Sequence, residues 1–131
     1  MTPYNTAIQK MGAGQLDLSS GTFQILYVSA GYTADLTDGG DSTESDLGAN
    51  IVHRETLTGV TWSGRVFDAA DLSITDPGSG TATQIVIVKG TSANGSNDLI
   101  CHEELGSPLV FDGTNDSQTF HASGIFRIGA A

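Results

Sequence analysis

The spacing of apolar positions along this chain changes once, near residue 15. Before it, "PYNTAIQKMGAG" sets Tyr4, Ile8 and Met11 on one side of a helix, which Pro3 and Asn5 can open and Gly12 or Gly14 can stop. From Leu16 onward the period is two. "LDL" and "TFQILYVS" predict a pair of strands broken by the turn residues "SSG", with Phe23, Ile25 and Tyr27 on one face and Leu26 and Val28 on the other. "IVHRETLTGVTWSGRVFDAADLSIT" predicts two or three strands bent at Gly59 and Gly64, and "DPGSG" predicts a turn. In "TATQIVIVKG" the apolar run from Ile85 to Val88 is continuous, as in a central strand buried on both faces. "TSANGSND" predicts a hairpin loop and "LICHEEL" a strand; "SPLVFDGTNDS" predicts a turn-rich return and "QTFHASGIFRI" the closing strand.

Short strands at roughly 8–12-residue spacing, separated by Gly, Asn, Asp and Ser, predict an antiparallel β-sandwich, jelly roll or barrel. No second helix-period segment exists to make the crossovers of an α/β fold. The expected organisation is mainly β: a helix or arm over 1–14 and a single jelly-roll-like sandwich over 15–131. A chain of 131 residues fits that size.

Charge removes one class of partner. Fifteen acids face only Lys10, Arg54, Arg65, Lys89 and Arg127, a net charge of −10 that repels a phosphate backbone. Direct nucleic-acid binding is not expected. Cys101 has no second cysteine for a disulfide or a zinc site. No apolar run approaches the roughly 18 residues of a membrane span, and the start lacks the basic-then-apolar layout of an export signal. No membrane association is expected.

Candidate chemistry is sparse. "GAG" at Gly12 to Gly14 lacks the third glycine and the preceding strand of a dinucleotide site, and no "GKS" or "GKT" is present. Cys101 and His102 are adjacent, so a strand points them to opposite faces; only His53 or His121 remains as a spatial base for the thiol. Glu103 and Glu104 also alternate, and Asp68 and Asp71 flank a turn. Acids in such places keep a sheet soluble and discourage edge pairing. The chain is therefore expected to be no enzyme, with no catalytic residues, no cofactor and no metal.

"ADLTDGGDSTESDLGAN", residues 34–50, carries Asp35, Asp38, Asp41, Glu44 and Asp46 without one basic side chain. The EF-hand pattern needs acids at alternating positions, and Asp35, Asp38 and Asp41 are three apart. A solvated loop or one ordered by a partner fits better. A short helix through "STESDL" is also possible, with Ser42 as cap and Ser45 or Asp46 in the first turn.

From "YNTAIQKMGAGQLDLSSGTFQILYVSAGYTADL", through "LTGVTWSGRVFDAADLSIT" and "ATQIVIVKG", to "LVFDGTNDSQTFHASGIFRI", the order of elements resembles the small structural proteins of tailed-bacteriophage virions, of capsid decoration (cement) type. The resemblance implies a β-sandwich on the capsid exterior that binds the major capsid protein and stabilises the shell, either singly or as a homo-oligomer at a symmetry axis. Under it, Tyr4, Ile8 and Met11 are candidates for a docking arm, the alternative being a lid packed on its own domain. Asp35, Asp38, Asp41, Glu44 and Asp46 are candidates for the contact with the shell. A tail or neck component of the same particle is one alternative function. A carbohydrate- or calcium-binding module, with Trp62, Tyr27 and Tyr32 as stacking surface, is another.

Overall fold

The computed structural model describes residues 1–128. In chain order the elements are β1 (Thr2–Pro3), α1 (Asn5–Gly12), β2 (Phe23–Val28), a 3₁₀ turn (Glu44–Leu47), β3 (Ile51–Thr56), β4 (Thr61–Ser63), β5 (Val66–Asp68), β6 (Leu72–Ile74), β7 (Thr81–Lys89), β8 (Asp98–Val110), β9 (Asp116–Gln118) and β10 (Phe126–Arg127). The strands form a five-stranded antiparallel sheet ordered β1-β8-β7-β2-β3, a three-stranded sheet β10-β5-β4 and a two-stranded sheet β6-β9. The result is the mainly β, sandwich-like domain with one short helix near its start that the period of the sequence predicts.

Strand β2 is buried at every position, and β7 from Gln84 to Val88, because both lie inside the main sheet with a layer on each side. Register assigns the layers. Phe23, Ile25 and Tyr27 stand opposite Lys89, Ile87 and Ile85, and this face meets the small sheets. There Phe23 packs edge-on to Phe67 at 5.2 Å and Tyr27 edge-on to Phe111 at 5.8 Å, while Phe126 stacks on Phe67 at 5.3 Å. Such aromatic pairs add about 0.5–1.5 kcal/mol each beyond the area they bury. The other face, with Leu26 opposite Val86, lies under Tyr4, Ala7, Tyr32 and Leu47, all buried.

Four predicted elements differ. "SPLVFDGTNDS" is not a turn-rich return throughout: residues 107–110 continue β8 along β7, with Leu109 opposite Ala82 and Val110 opposite Thr81, and residues 116–117 open β9. "LDL" is no strand: Leu16 and Leu18 are buried, but the Asp17 carboxylate accepts from Ser19 N at 2.8 Å and from the Ser19 and Ser20 hydroxyls, and Lys89 Nζ donates to Asp17 O. These local bonds curl the backbone away from a ladder. The stretch 51–74 holds four strands rather than two or three, since Gly64 and Arg65, at φ 57° and 66°, make a two-residue hairpin turn between Ser63 and Val66. "QTFHASGIFRI" is divided between β9 and β10, with irregular backbone between them, where Phe120 N donates to Asp71 and Gly124 N to His121 O. Among the described residues no helix is long and apolar enough to cross a membrane.

Candidate partner-binding surface

The N-terminal segment is tied down from its first residue. Thr2 and Pro3 pair with His102 and Cys101 of β8, Met1 N donates to Ile125 O at 3.0 Å, and Tyr4 N donates to Ile100 O at 3.0 Å. Helix α1 follows, with Thr6 and Ala7 buried beneath it. Of the three residues predicted for a docking arm, Tyr4 is fully buried and anchors the helix, so the lid arrangement describes it and the free-arm arrangement does not. Ile8 and Met11 are half-buried, and Met11 packs against the core.

The acidic stretch is an ordered part of the same surface. Residues 35 and 41 close a small loop on themselves: Asp41 N donates to Asp35 O at 3.0 Å, and Asp35 N donates to the Asp41 carboxylate at 2.9 Å. A β-carbon at Gly40 would stand 2.5 Å from Asp35 O, so this close approach requires glycine. The Asp35 carboxylate accepts from Thr37 N and Thr37 Oγ1, two bonds that hold its pKa below the usual carboxylate value.

Asp46 and Glu44 are fixed in different ways. Asp46 accepts from Ser42 N at 2.8 Å and Thr43 N at 3.0 Å, completing a capping box in which Thr43, and not the predicted Ser42, is the N-cap of the 3₁₀ turn. Glu44 is buried; it accepts from Arg54 Nη1 at 3.0 Å and Asn94 N at 2.9 Å. Arg54 also donates to Gln24 of β2 at 2.9 Å, which carries the loop's charge pair down to the main sheet. Asp38 is exposed and bonds to no protein group among the described residues.

One chain of hydrogen bonds joins helix, loop and sheet. Tyr32 Oη donates to Asp41 Oδ2 at 2.7 Å, so at 2.8 Å from Tyr4 Oη it must act as acceptor and Tyr4 as donor. Thr6 Oγ1 donates to Asp41 O at 2.6 Å, and Lys10 of α1 pairs with Asp98 of β8. Burial pushes both phenols far above their ordinary pKa. Tyr4 and four of the five acids, all but Asp38, thus belong to one bonded surface covering one face of the main sheet, with Ile8 and Met11 beside them on α1. The sequence carried part of the signal: "DLT" is an Asp-x-Thr turn, and Thr43 with Asp46 has the spacing of a capping box.

The remaining candidates are scattered. Cys101 faces Ile87 and His102 faces Val86, on opposite sides of the sheet. His53 lies on β3, three strand spacings from β8 or about 14 Å, and bonds Glu55, while the His121 ring bonds Ser123. Burial pushes the Cys101 thiol well above its ordinary pKa, which leaves it a poor nucleophile. Glu103 and Glu104 are exposed, Asp68 accepts from Ala69 N, and Asp71 accepts from Phe120 N. Tyr27 and Tyr32 are buried, and Trp62 is half-buried beside Phe126 at 6.4 Å, so the three rings form no open stacking platform. Among the described residues no three metal-ligating side chains gather in one place. Neither a scan against protein-family models nor searches of curated proteins and of solved structures returned a match to this chain.

Proposed function

We propose that this chain is a non-enzymatic structural protein of a phage virion that binds the outer surface of the capsid shell and stabilises it. The observation that carries the reading is the bonded surface of α1 and the acidic loop. Four of its five acids are held by protein donors, so it is pre-organised, and a rigid surface loses little entropy on docking. Its net acidity suits a basic patch on the major capsid protein, and many weak copies around a symmetric shell add up by avidity. The resemblance of the chain's element order to decoration proteins points the same way.

Purified protein mixed with undecorated capsids should bind saturably and raise the temperature at which the shells break. No saturable binding would remove this reading. Labelled protein seen at one vertex instead of over the shell would favour the tail or neck assignment.

A further inference from the structure

The face of the main sheet under α1 holds one buried polar pair. Gln84 Nε2 donates to Ser29 O at 3.1 Å and Tyr32 O at 2.7 Å, which fixes the amide and turns Oε1 toward His102 Nε2 at 2.8 Å. His102 therefore carries its proton on Nε2. Above it stand the rings of Tyr4 and Tyr32, edge-on at 6.4 and 6.2 Å.

The charged groups around the imidazole do not neutralise a second proton. Glu104 Oε1 is 3.8 Å from Nε2, but its side chain is 71% exposed and screened by water. Glu103 points to the opposite face, beside Ile85, and so does the Cys101 thiol. Asp41 touches the site only through Tyr32, and Lys10 is engaged with Asp98. Burial is accordingly the largest influence on the ring and disfavours its charged form.

We propose that residues 1–12 and 29–41 form a single lid over His102 that acid releases. A protonated ring is better solvated with Tyr4 and Tyr32 lifted away, and these two rise together because their hydroxyls are bonded in series to Asp41. The lid is held by the two-residue ladder of β1, by Met1 N and Tyr4 N, by the Lys10–Asp98 pair and by the Gln84 amide, so its opening breaks a short, countable set of bonds. Release bares Leu26 and Val86, an apolar surface that is covered at neutral pH. The device operates whether or not the protein's partner is a capsid.

Hydrogen exchange at about pH 7.5 and pH 5, corrected for the intrinsic rate, tests it on the whole chain. Amides of residues 1–12 and 29–41 should exchange about tenfold faster in acid, with β2 and β7 unchanged. His102→Gln, whose amide can still donate to Gln84, should flatten that response. In the wild type alone, opening should follow the titration of the His102 ring observed by NMR, a check that survives if the variant folds poorly. Uniform acceleration of all segments, no acceleration, or an unaltered response in His102→Gln would each overturn the proposal.

Discussion

Tyr32 gives its hydroxyl proton to Asp41 and takes one from Tyr4, with 2.7 and 2.8 Å between the heavy atoms. Tyr32→Phe breaks both bonds at once and strands the Tyr4 hydroxyl in the core. A loss of about 2–3 kcal/mol is expected from urea unfolding, more than one neutral hydrogen bond contributes, because a buried donor is left unmet. Tyr4→Phe should cost less, since Tyr32 keeps Asp41. Equal losses for the two would contradict the direction of donation.

Glu44 and Arg54 make a half-sheltered ion pair, with side-chain exposures of 6% and 24%. Removing one partner of a fully buried pair costs about 3–5 kcal/mol; water reaching Arg54 lowers the expectation for Glu44→Ala to about 2 kcal/mol. The double variant Glu44→Ala, Arg54→Met should recover part of the loss. A thermodynamic cycle in urea measures the coupling.

The acids of the loop are not interchangeable. Asp38→Asn should leave stability within about 0.5 kcal/mol, whereas Asp46→Ala should lose about 1 kcal/mol with its cap. Asp38→Asn is therefore the cleaner probe of surface charge. If the loop meets a basic patch on a shell, this variant should bind capsids more weakly at low salt and equally at high salt. Identical affinity at every salt concentration would make Asp38 a bystander.

Acid should weaken the fold in two stages. The His102 pKa is lowered from 6.5 by burial, so the folded state takes up its proton less readily than the unfolded chain. Its contribution is complete above pH 6.5 and is lost as pH falls toward the folded value. Asp17, lowered from 3.8 to about 2 by Ser19 and Ser20, and Asp35, lowered by Thr37, act in a later window. Their contribution is present above pH 3.8 and disappears as pH falls through their folded values. Urea midpoints against pH should show both stages in the wild type, and only the lower one in His102→Gln.

Arg65 occupies the left-handed region at φ 66° in the hairpin between β4 and β5. Glycine adopts this conformation without a Cβ clash, so Arg65→Gly should stabilise by about 0.5–1 kcal/mol despite its greater unfolded freedom. A lower thermal midpoint would mean that Arg65 makes a compensating contact.

The sequence made the helix, the two central strands and the β class legible because each rests on an uninterrupted period, such as Tyr4, Ile8 and Met11 or Ile85 to Val88. It misplaced "LDL", where the deciding bonds run from Ser19, Ser20 and Lys89 to a single aspartate. The acidic stretch looked solvated because its one basic partner, Arg54, lies in the next strand and meets Glu44 only after folding. Gln84 and His102 were hidden for a related reason: each stands at the end of an apolar run, and a polar residue buried there becomes tolerable only through a partner on the neighbouring strand.

Strand β2 turns Phe23, Ile25 and Tyr27 to the small sheets and Gln24, Leu26 and Val28 to the helix and loop. Neighbouring codons of this strand therefore answer to separate selective constraints. Lineages of the protein can remodel the helix side while the aromatic side stays as it is. Substitutions along β2 should then covary with partners two positions apart in the same strand, and seldom with the residue next door.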